Sequence, residues 1–153
     1  MEIQSFNSKY AQAFYDLNLQ WLETYFYMEP YDREVLSKPM EHIINPGGEI
    51  FFSTQNNTAI GTVALIKRGD GIFELTKMAV APSQQGKNLG QQLLKYCIGF
   101  AKENKLGKIS FSAEAKEKLK RYPFPGNVIE LKAVMDLTVV MSSDGIIQDE
   151  DIS

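Results

Sequence analysis

The sequence predicts an α/β fold, a mixed and mainly antiparallel sheet flanked by helices, followed by a short all-helical C-terminal segment. Three observations carry this. Two tight turns, Gln55-Asn56-Asn57-Thr58 and Gly69-Asp70-Gly71, separate three runs rich in β-branched and aromatic residues, the pattern of an antiparallel meander. Apolar stripes at spacings of three and four lie on both sides of that meander. After Phe111 the periodicity is helical only, which divides the chain into 1–111 and 112–153.

Taken in order, Glu2–Phe6 reads as a first strand. Phe14, Leu17, Trp21, Leu22 and Tyr25 then share one face of a helix, which Glu29-Pro30-Tyr31-Asp32 breaks. Asp32 is positioned to cap a short helix over Arg33–Leu36, and Pro39 interrupts it. Asn45-Pro46-Gly47-Gly48 is a turn. The three strands of the meander follow at Glu49–Thr54, Ala59–Lys67 and Ile72–Ala81, and Pro82 ends the last. A glycine-containing loop leads into a helix over Leu89–Glu103, with Leu89, Leu93, Cys97, Phe100 and Ala101 on its apolar stripe. Gly107 stops it, and Lys108–Phe111 reads as a further short strand. Ser112 is a cap for a helix over Ala113–Arg121. Pro123-Phe124-Pro125-Gly126 separates that helix from another over Asn127–Met141, with Val128, Leu131, Met135 and Val139 on one face.

Composition narrows the chemistry. The chain has 153 residues, is 44% hydrophobic and carries a net charge of −3. It has no basic excess to hold a phosphodiester backbone, so no nucleic acid is expected as partner. No apolar stretch is long enough for a membrane span, and the N-terminus lacks the pattern of a secretory signal, so a cytoplasmic location and no membrane partner are expected. One His and one Cys cannot supply the ligands of a His/Cys zinc site, so no metal is expected. Without a nucleophile elbow, His42 reads as a surface or capping residue.

The informative segment is Phe73–Gly90, a strand, a proline turn, a polar loop with Gly86 and Gly90, and a helix start. Orphan N–H groups and the positive end of the helix dipole favour an anion there, and Lys87 adds charge. On these grounds alone the loop suits either a phosphate or plain packing. The run Gln85-Gly86-Lys87-Asn88-Leu89-Gly90 resembles the pyrophosphate motif of the GNAT acyltransferase superfamily, Arg/Gln-x-x-Gly-x-Gly/Ala. Asn88 stands where the central glycine is usual, and Asn tolerates left-handed backbone. The strand before the loop and the order of elements over 1–111 are similar too.

The resemblance implies acetyl-CoA as co-substrate and direct acetyl transfer to a small-molecule or peptide amine. The backbone of Met78, Ala79 and Val80 would pair with the pantetheine arm like an added strand. N–H groups of Gln85, Gly86, Lys87, Asn88, Leu89 and Gly90 would hold the pyrophosphate. An amine with a pKa of about 10.4 is mostly protonated at neutral pH and needs a base. Glu74 is the candidate base, with cross-strand pairing as its alternative role. Tyr25, Phe26, Tyr27, Met28 and Tyr31 would border the acceptor site or cover the sheet.

GNAT members normally continue after the fifth strand with a helix and two strands that supply a tyrosine acid. Residues 112–152 instead resemble the helical AAA+ lid of NtrC-type transcriptional activators, centred on Tyr122-Pro123-Phe124-Pro125-Gly126-Asn127-Val128. Ile129 replaces that family's nucleotide-sensing Arg, and no phosphate loop accompanies the lid, so no ATPase is expected. Tyr122 is the tail's tyrosine and the candidate acid. The strand Lys108–Phe111 is expected to present a bare edge, covered by tail helices or by a homodimer. The functions that follow are an N-acetyltransferase, a CoA-binding module with impaired turnover, or an interaction fragment of a transcriptional activator.

Overall fold

The computed structural model describes residues 2–25, 28–115, 138–142 and 145–149. Its strands are β1 (Glu2–Ser5), β2 (Glu49–Gln55), β3 (Thr58–Gly69), β4 (Ile72–Val80), β5 (Lys108–Phe111), β6 (Thr138–Ser142) and β7 (Gly145–Asp149). They form one sheet in chain order, antiparallel throughout except for the parallel β4–β5 pair. Helices α1 (Ala11–Tyr25), α2 (Pro30–Ser37) and α3 (Leu89–Glu103) flank it.

The strands bury both faces, and alternate residues build two cores. Phe51, Val63, Leu65, Phe73, Leu75 and Met78 pack beneath Leu93, Leu94, Cys97 and Ala101 of α3. Ile50, Phe52, Ala64 and Ile66 pack beneath Phe14 and Leu22 of α1 and Val35 and Leu36 of α2. The β2–β3 turn is a two-residue hairpin in which Asn56 and Asn57 both have positive φ, 52° and 64°. That geometry matches strand twist, and Asn is among the few residues that tolerate it.

The expected elements over 1–111 are present, with one cap reassigned. Glu29 is the N-cap of α2, with Pro30 in its first turn, and Asp32 lies at the third helical position, where its Oδ2 accepts from the Glu29 N–H at 3.2 Å. After Pro39 the chain makes one π-helical stretch over Met40–Ile44, closed by Asn45 N–H to Met40 C=O at 2.8 Å.

The C-terminal segment departs from the all-helical expectation. Ser112 caps a helical start at Ala113–Ala115, its Oγ accepting from the Ala115 N–H at 3.0 Å. Thr138–Met141, expected to finish a helix, lies instead in β6. β6 pairs with β5 (Lys108↔Val140, Ile109↔Val139), and β7 pairs with β6. The cause is local chemistry joined to an available partner. Thr138-Val139-Val140 is β-branched, Ser142-Ser143-Asp144-Gly145 is turn-forming, and β5 offers an open ladder. The edge of β5 is thus covered by this chain's own strand, and that reason for a homodimer falls away.

Candidate functional site

The site is organised by a slip in β4. Thr62 faces Ala79 and Ala64 faces Thr76, so Val63 opposes both Lys77 and Met78. This is a β-bulge, with Lys77 at φ 54°. Leu75 and Met78 thereby both reach the α3 core, while Thr76 and Lys77 lie between them. Lys77 is buried, and its Nζ donates to Asp32 Oδ1 at 2.9 Å, tying the bulge to the first turn of α2. Left-handed backbone on a lysine is a strained choice that only a firm tether sustains. Replacing Lys77 with Met is expected to cost about 2 kcal/mol, since it strands a partly buried carboxylate but one that water still reaches. Adding Asp32→Asn should recover most of that loss; equal losses in single and double variants by thermal melting would show that the pair is not what stabilises the bulge.

β5 follows β4 only from Ile72 to Leu75, closing with Ser112 N–H to Leu75 C=O at 3.1 Å. From Thr76 to Val80, the edge of β4 on that side carries no strand among the described residues. Met78, Ala79 and Val80, all buried, lie on this stretch beyond the last pair with β5.

Beyond Val80 the chain makes a 3-10 turn over Pro82–Gln84. The Gln85 N–H is turned inward to Pro82 C=O at 3.3 Å, and its side-chain Nε2 donates to Val80 C=O at 3.4 Å. Gly86 follows at φ 87°, with open space where a Cβ would stand. Asn88 is the N-cap of α3 in left-handed conformation, φ 63° and ψ 22°, so it performs the backbone task of the glycine it replaces. Its side chain caps nothing; its Oδ1 accepts from Gln91 Nε2 at 3.2 Å. The Gln92 N–H bonds the Asn88 C=O, so Leu89 and Gly90 precede that bond of the helix ladder. Gly90 has ordinary φ and is buried, which makes it a packing residue rather than a hinge. Lys87 is exposed, its Nζ 3.2 Å from Gln84 Oε1. Val80, Gln84–Gly86 and Asn88–Gln91 line a small, solvent-open pocket.

Glu74 lies on the opposite face of β4 from α3, just before the strands part. It faces Ile66 on β3 and Ser110 on β5. Its Oε1 accepts from Arg68 Nη2 at 2.7 Å, with the Glu74 side chain one quarter exposed. The Arg68 guanidinium is held above its ordinary pKa first by this bond and also by the Tyr31 hydroxyl. Arg68 and the Lys77–Asp32 pair are the functional-face residues that sequence reasoning missed. Tyr31 is well exposed at the start of α2 and Met28 is half-buried against the α1 core. Tyr25 ends α1; Phe26, Tyr27 and Tyr122 lie outside the described residues.

Other reactive groups are engaged or sealed. Cys97 is fully buried in the α3 core, and burial pushes its thiol up. His42 Nε2 lies 3.2 Å from Glu34 Oε1 on the surface. Among the described residues no cluster of His, Cys, Asp and Glu is placed to hold a metal, and no helix is long and apolar enough to cross a membrane.

A search of curated sequences finds no match. Solved structures do match. A GNAT-family acetyltransferase from Staphylococcus aureus Mu50 superposes with TM-score 0.65 at 22% identity, covering 73% of this chain and 72% of its own. A predicted acetyltransferase from Clostridium acetobutylicum, solved with acetyl-CoA, gives 0.61 at 18% identity, covering 83% and 91%. Spermidine N-acetyltransferase from Vibrio cholerae, in complex with CoA and spermine, gives 0.55 at 21% identity, covering 72% and 69%. At such identities the likeness is one of fold. The AAA+ ATPase lid domain model matches residues 91–153. The acetyltransferase (GNAT) family model matches residues 10–121, most of the chain. The chain belongs to the acetyltransferase (GNAT) family, and is accordingly an acetyltransferase.

Proposed function

We infer that the protein is an N-acetyltransferase in which the open edge of β4 and the loop before α3 receive acetyl-CoA and Glu74 serves the acceptor amine. The observation that carries this reading is the parting of β4 from β5 beside a helix start whose N-cap sits in left-handed backbone without a side-chain cap. The residues present suit the co-substrate. An unpaired strand edge can bond the amides of a pantetheine arm. Gly86 lets a phosphate approach without meeting a Cβ, and the amides from Gly86 to Gly90 precede the α3 ladder at its positive end. Gln85 contributes through its side chain or not at all, because its N–H is turned to Pro82.

Bound acetyl-CoA would supply an activated acyl carbon. This chain's part is then to take a proton from the acceptor ammonium, freeing the lone pair that attacks the acyl carbon. Glu74 offers a carboxylate on the strand that also carries the open edge, oriented by Arg68. Its cross-strand pairing and its base role are compatible, because the ion pair occupies one oxygen of two. Tyr122, next to Pro123 in the sequence, is kept as the candidate acid that returns a proton to the departing thiolate. We keep the division between residues 1–111 and 112–153 as a proposal about the origin of the two parts, since β6 and β7 continue the same sheet beyond β5.

The first test is calorimetric titration with acetyl-CoA, beside the double variant Q85E/K87E. Both positions are exposed, so the fold should be untouched, while the charge facing the phosphates changes by three units. Affinity is expected to fall about 10- to 100-fold, the scale of several charges at short range partly screened by water. Equal affinity in wild type and variant would remove the loop from the binding site. The lid-model match over 91–153 favours one second reading, a CoA-binding module that no longer turns over. Saturable binding with no acetylation across a broad amine panel would select it.

A further inference from the structure

Two ion pairs, Lys77–Asp32 and Arg68–Glu74, involve residues of β4, and their pairing is uneven. Asp32 has both oxygens engaged within the chain, Oδ1 by Lys77 Nζ at 2.9 Å and Oδ2 by the Glu29 N–H at 3.2 Å. Glu74 is engaged at Oε1 by Arg68 Nη2 at 2.7 Å. A carboxylate presents two oxygens and a guanidinium presents five donors in a planar fork, so this second pair has unused capacity on both sides. The Arg68 side chain is 44% exposed, against 9% for Lys77. Tyr31, 60% exposed, stands beside the guanidinium at the start of α2.

An acceptor ammonium approaching Glu74 therefore meets a fixed positive charge within hydrogen-bond distance of its base. A simple alkyl amine gains little from such a half-neutralised site. A polyamine fares worse, because the nearby carboxylate that could hold its second ammonium is already taken by Lys77. An acceptor with its own anionic group next to the amine turns the same arrangement to advantage: ammonium to Glu74, anion to the guanidinium fork. The adjacency of Glu74 and Arg68 suits a molecule in which amine and carboxylate share one carbon.

We propose that the acceptor is a free α-amino acid and that Arg68 is the residue that selects it, by binding the carboxylate while Glu74 addresses the amine. This rests on the reading of Glu74 as the amine's base. The α-ammonium first loses one proton through Glu74 to solvent; the free amine then forms an amide bond with the acetyl carbon as the thioester C–S bond breaks, and the second nitrogen proton balances the one that the departing thiolate takes up to become CoA.

The test is steady-state acetylation of the proteinogenic amino acids, each beside its primary amide, with isopentylamine and spermidine as acceptors lacking a carboxylate. At least one amino acid should exceed its own amide tenfold or more in kcat/KM, by roughly the worth of a charge-assisted hydrogen bond. Arg68→Gln should collapse that ratio at least about tenfold, mainly through KM for the amino acid. Arg68→Lys, which keeps charge but not the fork, should fall between. Calorimetry with acetyl-CoA certifies the fold of each variant, and Arg68→Lys carries the test alone if Arg68→Gln fails to fold. Amides or spermidine used as well as amino acids, or a ratio unmoved by either variant, overturns the proposal and leaves the acetyltransferase reading standing. Acetyl-CoA binding without turnover of any acceptor overturns both.

Discussion

Glu74→Gln is expected to lower kcat about 100- to 1,000-fold, the usual contribution of a positioned general base, while acetyl-CoA affinity stays within about twofold. The change is nearly isosteric. A glutamine Oε1 can still accept from Arg68 Nη2, so the fold should lose no more than about 1 kcal/mol at this half-exposed pair. What disappears is the proton acceptor. The deficit should therefore narrow as pH rises toward the acceptor amine's own pKa, because the acceptor then arrives deprotonated. A variant with undiminished kcat at neutral pH would show that Glu74 only pairs strands. A variant whose deficit is the same at every pH would show that it positions the acceptor instead of taking its proton.

The sheet was legible where local signals agree with each other. The runs Ile72–Ala81, Leu89–Glu103 and Lys108–Phe111 each end at a proline, a glycine or a polar turn, and the observed elements end there or one residue earlier. Asn88 was legible for the same reason: few residues besides glycine accept left-handed backbone, and Asn is one. The bulge left a trace that went unread. Apolar alternation runs Phe73, Leu75, then Met78, Val80, and the missing step between Leu75 and Met78 marks the extra residue. Arg68 was equally within reach, because the hairpin that sets Ile66 opposite Glu74 puts Arg68 two residues further along the same face. Asp32 was not. It meets Lys77 across 45 residues, through the docking of α2 on the sheet, and nothing local announces that.

The tail failed for a different reason. Val128, Leu131, Met135 and Val139 fit a helical stripe, yet Thr138–Val140 is also the most β-branched run after Phe111. Periodicity cannot choose between these; the available partner does. β5 offers an unpaired ladder, and β6 takes it with Lys108↔Val140 and Ile109↔Val139. Tertiary context overrode local spacing, as it commonly does where a short segment lies beside an open edge. The resulting order, a strand followed by a helical start and two further strands, is what GNAT resemblance implies for this part of the chain.

Phe51→Ala tests how far the binding loop depends on the core behind it. Phe51 is fully buried on β2, and its ring meets Tyr96 edge-on at 4.9 Å and Phe100 at 5.1 Å between centroids. Both partners are on α3, the helix whose first turn closes the loop. Removing the ring should cost about 3–4 kcal/mol, transfer and cavity together, and lower Tm by about 10 °C in a chain of this size. Because the native state alone forms the loop, acetyl-CoA at a hundred times its Kd should return about 2.7 kcal/mol of that loss. Q85E/K87E is expected to behave in the opposite way, with an apo Tm close to wild type and a much smaller rise on adding ligand. If Phe51→Ala melts early and acetyl-CoA restores it, the core sets stability and the loop sets binding. If instead Phe51→Ala no longer responds to acetyl-CoA while still folded, then α3 is held in its binding position by this one ring, and the loop's geometry is a property of the core.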